Sequence, residues 1–187
     1  MKRNALGFLA GLIVIAVGFI VGRCEAAAID LTLQPSAATV GVGDPFTVSV
    51  AVNPHGNEYN TYTMKIGWTS AASLDGQEET SFFPSYCGNT FWSVSGTNPR
   101  QVDHAILCAN TYVIAVGTPW IWHFVAAQAG TATLTPSAVH FYRAGIEVAA
   151  GTLTGASVTV TSNGGGGHGL DKPQQTADWG TVKRLYD

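Results

Sequence analysis

From Phe46 to Val52 the apolar residues fall at every second position, Phe46, Val48, Val50 and Val52, with Thr47, Ser49 and Ala51 between them. That is the period of a strand buried on one face. The stretch before it, Val40-Gly-Val-Gly-Asp44, reads as the turn that leads into this strand, with Gly41, Gly43 and Asp44 shaping it. Residues 60–68 alternate again: Tyr62, Met64, Ile66 and Trp68 share one face, predicted to be core, and Thr61, Thr63 and Lys65 share the other. In residues 120–126, Trp120, Trp122 and Phe124 lie opposite Ile121, His123 and Val125, which also puts the two tryptophans in the core.

Shorter strands are predicted at 29–33, where Pro35 ends the pattern, at 91–94, at 131–135 after a turn at Gly130, at 139–142 and at 156–161. Residues 102–116 read as two strands broken near Asn110. Residues 53–56, Asn-Pro-His-Gly, form a loop by composition, and 70–89 read as irregular and turn-rich. About nine strands without a helix between them predict an all-β fold of two packed antiparallel sheets, because an isolated sheet cannot cover both of its faces.

The N-terminus departs from this pattern. Lys2 and Arg3 precede an uncharged apolar run over residues 5–22, as in an export signal, and Ala26 and Ala28 suit cleavage that leaves a chain beginning near Ile29. A membrane helix needs roughly 20 apolar residues, so the alternative reading is a retained N-terminal anchor. Cys24 invites lipidation, but Arg23 stands where that signal wants a small residue. Residues 1–28 are therefore assigned to a signal peptide or anchor.

Export changes the reading of the cysteines and of the charge. Cleavage would remove Cys24 and leave Cys87 and Cys108, an even pair in an oxidising compartment, which predicts a disulfide. Neither has a second Cys or a His at ligand spacing, which argues against a metal or nucleophilic thiol. The whole chain carries a formal charge of −3. Without residues 1–28, six basic and eleven acidic residues remain, a charge of −5. No basic stripe is present to follow phosphates, which excludes nucleic acid as a partner.

Three segments together carry a family resemblance. Leu33-x-Pro35 with Val40-Gly-Val-Gly-Asp44-Pro-Phe46-Thr-Val48-x-Val50, the alternating strand from Tyr62 to Trp68, and Trp120-Ile-Trp122-His-Phe124-Val-Ala-Ala-Gln-Ala-Gly130-Thr-Ala-Thr-Leu134, closed by Ala156-Ser-Val158-Thr-Val160, occur in order. In this order and spacing, residues 29–161 resemble a cohesin domain or a cohesin-like module of secreted bacterial proteins. Residues 70–118 match the family little, and the Cys87/Cys108 pair is not one of its general features. The resemblance implies a jelly-roll sandwich of about nine strands, used for noncovalent recognition of a dockerin module on an enzyme of polysaccharide breakdown, and no catalysis. It carries no individual binding residue over to this chain.

Side-chain chemistry adds little to that picture. Asp103-His104 is the sole adjacent acid and imidazole, but neighbours on a strand point to opposite faces and no nucleophile stands in a shaped turn, so no enzyme is predicted. His123 and His140 read as hydrogen-bonded wall residues. Asp75, Glu78 and Glu79 can offer oxygen ligands to calcium, but lack the acidic ladder of an EF-hand and read as a solvated loop; no cofactor is predicted. Phe82, Phe83, Tyr86, Phe91 and Trp92 fall in the irregular region and form the candidate binding surface, since exposed aromatics gather at interfaces.

Residues 162–177, with Gly164 to Gly167, read as a flexible linker. In residues 178–187, Trp179, Val182, Leu185 and Tyr186 recur at helical spacing, a candidate docking segment for an assembly partner or, equally, a short disordered end. Three functions follow for this secreted or cell-surface chain: a module that recognises a protein, a carbohydrate-binding module, or a self-assembling surface subunit. A flat face of Thr, Asn and small residues favours protein, and planar exposed Trp and Tyr favour sugar.

Overall fold

A computed structural model describes residues 28–109 and 111–162, which form two sheets packed face to face. The strands are β1 (Ile29–Pro35), β2 (Thr39–Gly41), β3 (Pro45–Asn53), β4 (Thr61–Trp68), β5 (Ala72–Glu79), then the short helix α1 (Phe82–Cys87). After it come β6 (Thr90–Asn98), β7 (Gln101–Cys108), β8 (Gly117–Ala126), β9 (Gly130–Arg143), β10 (Ile146–Val148), β11 (Ala150–Thr154) and β12 (Ala156–Thr161). One sheet has the order β11-β1-β3-β8-β5, and the other β2-β12-β9-β4-β7-β6, with β10 pairing β9.

The expected jelly-roll sandwich is thus present, and two of its strand pairings are parallel rather than antiparallel. β1 pairs β11 and β12 pairs β2 in parallel. The cause is that the chain changes sheets twice side by side: at Pro35 between β1 and β2, and at Gly155 between β11 and β12. A Cβ at Gly155 would lie 2.5 Å from the Leu134 carbonyl oxygen, so the second change of sheet passes where only glycine fits.

Alternation places the core as read from the sequence. Phe46, Val48, Val50 and Val52 of β3, Tyr62, Met64 and Ile66 of β4, and Trp120, Trp122 and Phe124 of β8 are all buried. Phe46 stacks on Phe124 at 5.5 Å between ring centroids, and Trp68, half-buried, meets the same ring edge-on at 5.5 Å. Each such side chain contributes on the order of 1.5–3 kcal/mol by leaving water. The turn before β3 is closed by Asp44, whose Oδ2 accepts from the Gly41 N–H at 2.9 Å, while Gly43 takes φ +89°.

Four expectations need correction. Residues 70–89 are not irregular: β5 pairs β8 as an edge strand, and α1 follows it. The helix arises because Thr80 Oγ1 accepts from the Phe82 N–H at 3.1 Å and the disulfide ties its last residue, Cys87, to β7. The acidic group therefore lies on a strand, with Asp75 exposed, Glu78 3.6 Å from the His123 ring and Glu79 accepting from Thr90 Oγ1 at 2.9 Å. Residues 111–116 form no strand apart from one bridge between Tyr59 and Val113, and β8 starts earlier than expected.

Finally, the strands expected at 131–135 and 139–142 are one strand, β9. Its buried positions are Ala132, Leu134 and Pro136, then Val139 and Phe141. The register against β4 shifts between Thr63 and Lys65, so Ala138 and Val139 together oppose Met64, a bulge that resets the alternation and keeps both halves on the core. Ala138 takes φ +46° there.

Candidate functional site

The outer surface of β6, β7, β4 and β9 is the broad face that the core does not use. Cross-strand register sets its residues in rows: Phe91, Leu107, Thr61 and Tyr142; then Ser93, Ala105, Thr63 and His140; then Ser95, Asp103, Lys65 and Ser137. Short side chains dominate the middle of it. The bulge at Ala138 and the small residues beside it leave a shallow groove of about 330 Å3, lined by Thr63, Lys65, Ser93, Ser95, Asp103 and Ala105, with Ala138 and His140 among its walls.

Charge in the groove is sparse and paired. Lys65 Nζ lies 3.5 Å from Asp103 Oδ1. At the rim, His140 Nδ1 is 2.6 Å from Glu147 Oε1 of β10, the hydrogen-bonded role expected for that histidine. One end of the face is apolar: Phe91, 63 % exposed, stands opposite Leu107, and a second shallow depression opens between them and Thr61. A flat polar centre with an apolar margin suits a partner that brings its own relief.

The candidate aromatics divide. Phe91 and Tyr86 are exposed, and Trp92, exposed at the sheet edge, packs its indole on Trp120 at 5.3 Å. Phe83 is a correction: it is wholly buried, and its ring packs against Tyr59 and Tyr62. Phe82 is half-buried, its ring so close to Gly117 that any Cβ there would collide with it. The five therefore form no single platform, because α1 turns Phe83 inward while β6 sends Phe91 and Trp92 to opposite sides of its sheet.

Asp103 and His104 likewise part. Asp103 faces the groove, whereas His104 is buried among Tyr62, Trp120 and Trp122, and burial lowers its pKa to about 3. They cannot act as an acid–base pair on one substrate. Cys87 and Cys108 are joined in the expected disulfide, with Cα atoms 5.4 Å apart. Among the described residues no group of three or more His, Cys, Asp or Glu is placed to hold a metal. Trp179, Val182, Leu185 and Tyr186 lie outside the described residues, as do residues 1–27. The groove residues themselves were visible in the sequence as the polar half of each alternation, but Thr, Ser and Ala carry no chemistry that marks a site.

No family model and no curated protein matches the chain. Solved structures do match it. A cohesin module of a family 33 glycoside hydrolase from Clostridium perfringens aligns at 11 % identity and a TM-score of 0.62, covering 73 % of this chain and 98 % of that one. A non-cellulosomal cohesin from the archaeon Archaeoglobus fulgidus aligns at 14 % identity and 0.59, covering 73 % and 93 %. A type I cohesin–dockerin complex from Clostridium thermocellum aligns at 9 % identity and 0.59, covering 73 % and 95 %. The likeness is one of fold, and the fold is cohesin-like.

Proposed function

We propose that this chain is an exported, noncatalytic recognition module that binds a protein of the dockerin kind through the outer face of β4, β6, β7 and β9, within an extracellular assembly serving polysaccharide breakdown. The observation that carries this reading is the flat run of Thr, Ser and Ala around the Lys65–Asp103 pair, bordered by Phe91 and Leu107. Small side chains cost little conformational entropy when a partner covers them, and the apolar margin supplies area to bury. The cohesin fold supports the same reading, since one of its solved neighbours is in complex with a dockerin. The disulfide suits an oxidising compartment. A sugar platform is disfavoured by the division of the aromatics.

The test is capture of dockerin-bearing secreted proteins from the source organism on the immobilised chain, run beside a polysaccharide array. Binding of a dockerin-bearing protein that is lost in Ala105→Arg is expected, because a long cation at Ala105 would stand up from the middle of the face. Binding to glycans with no protein captured would overturn the reading.

A further inference from the structure

The exposed apolar residues of the sandwich are gathered toward one end. β8 runs between the two ends: Gly117 pairs with Val52, beside the pairing of Asn53 with Asp30, and Ala126 hydrogen-bonds Asp44. At the Gly117 end the chain crosses from β7 to β8. There Val113 is buried and bonded through its backbone to Tyr59 in both directions, at 2.7 and 3.1 Å. Anchoring Val113 turns its neighbours outward, leaving Ile114 57 % and Val116 67 % exposed beside Tyr112. The hairpin of β9 and β10 adds Ile146, 72 % exposed and paired with Arg143, whose guanidinium lies 4.8 Å over the Tyr112 ring. The Asp44 end, by contrast, presents no exposed large apolar side chain among the described residues.

β1 begins at the apolar end, with the Ile29 N–H donating to the Ala149 carbonyl. The uncharged apolar run of residues 5–22 is separated from Ile29 by residues 23–28 alone. Fully extended, six residues reach about 20 Å, so whatever holds that run also holds this end of the sandwich close to it. The acids near this end are matched: Asp30 lies 2.8 Å from His55, and Glu58 2.5 Å from Arg143. Matching reduces the cost of bringing them toward a medium of low dielectric constant.

We propose that residues 5–22 remain in the lipid bilayer and that Tyr112, Ile114, Val116 and Ile146 rest in its interface. The module then stands end-on upon the membrane, with the groove face turned sideways and open to a partner. The apolar run supplies the anchor, and the apolar end, resting in the interface, fixes how the module sits upon it.

The test uses the full chain in vesicles of phosphatidylcholine and phosphatidylglycerol, with a benzophenone amino acid placed in turn at Ile114, at Ile146 and, at the opposite end, at Gln128. Photolysis is expected to label lipid at least tenfold more from the first two positions than from the third. Equal labelling from all three would overturn the proposal, and so would labelling of protein instead of lipid from Ile114. Recovery from exporting cells of a soluble chain beginning near Ile29, with none in the membrane fraction, would also overturn it. Capture of a dockerin-bearing protein is read separately, so failure here leaves the proposed function standing.

Discussion

The imidazole of His104 lies 4.2 Å, centroid to centroid, from the indole of Trp120, and neither ring nitrogen of His104 has a hydrogen-bond partner in the protein. Trp122 and Tyr62 complete the enclosure, at 5.4 and 5.3 Å. An imidazole so enclosed is held neutral, since its cation would forfeit hydration without gaining a counterion.

Stability should therefore depend on acid through this residue. The folded chain keeps His104 neutral down to a pKa of about 3, whereas in the unfolded chain it protonates near 6.5. Between those values the unfolded state binds the extra proton, so stability is fully present above about pH 6.5 and falls as pH drops toward 3, by up to about 1.4 kcal/mol per pH unit. Thermal unfolding at pH 4 and pH 7 should show this loss for the native chain and a distinctly smaller one for His104→Leu. Equal losses in both would contradict the assignment.

Removing the disulfide should cost about 3 kcal/mol, since Cys87 and Cys108 are 21 residues apart. The loss should be local as well as global, because α1 has six residues and, apart from the Thr80 hydroxyl at its start, no side-chain cap from Ser81. Hydrogen exchange in the reduced chain is expected to accelerate first in α1 and the start of β6; uniform acceleration would show that packing of Phe83 alone holds the helix.

Ala138 pays for its place in the β9 bulge with a positive φ of 46°. Ala138→Gly should raise the urea midpoint by the equivalent of about 0.5–1 kcal/mol, and Ala138→Val should lower it by more than 1 kcal/mol, since a β-branched residue tolerates that backbone least. A midpoint unchanged in both would mean that the bulge relaxes freely.

Gly155→Ala should destabilise by about 1–3 kcal/mol, because its Cβ meets the Leu134 carbonyl oxygen, a backbone atom that cannot swing aside. Differential scanning calorimetry would register this as a lower Tm. An unchanged Tm would show that the β11 to β12 crossing can shift without cost.

What could be read from the chain beforehand follows from how burial is distributed. β3, β4 and β8 bury one whole face in the core, so Phe46 to Val52, Tyr62 to Ile66 and Trp120 to Phe124 display it as alternation. β5 is not legible in this way, because its sequence, ASLDGQEE, shows no apolar alternation and its pairing with β8 shifts register between Leu74 and Gly76. α1 was hidden for a different reason: with Pro84 inside a single turn it has no helical propensity to detect, and a covalent link to β7 holds it. Phe83 could not be told from Phe82 without knowing that turn. The groove was present in the sequence only as a remainder, the Thr, Ser and Ala left over once the core positions are taken.

The chain enters the sandwich at Ile29, beside Ala150, and leaves it at Thr161, beside Gly41, at the opposite end. A tension applied between these two points runs along β1 and β12 rather than across them. The bonds joining β1 to β3 and β12 to β9 would then be loaded together in shear instead of parting one after another, so the module is arranged to bear force in line between whatever holds each of its termini.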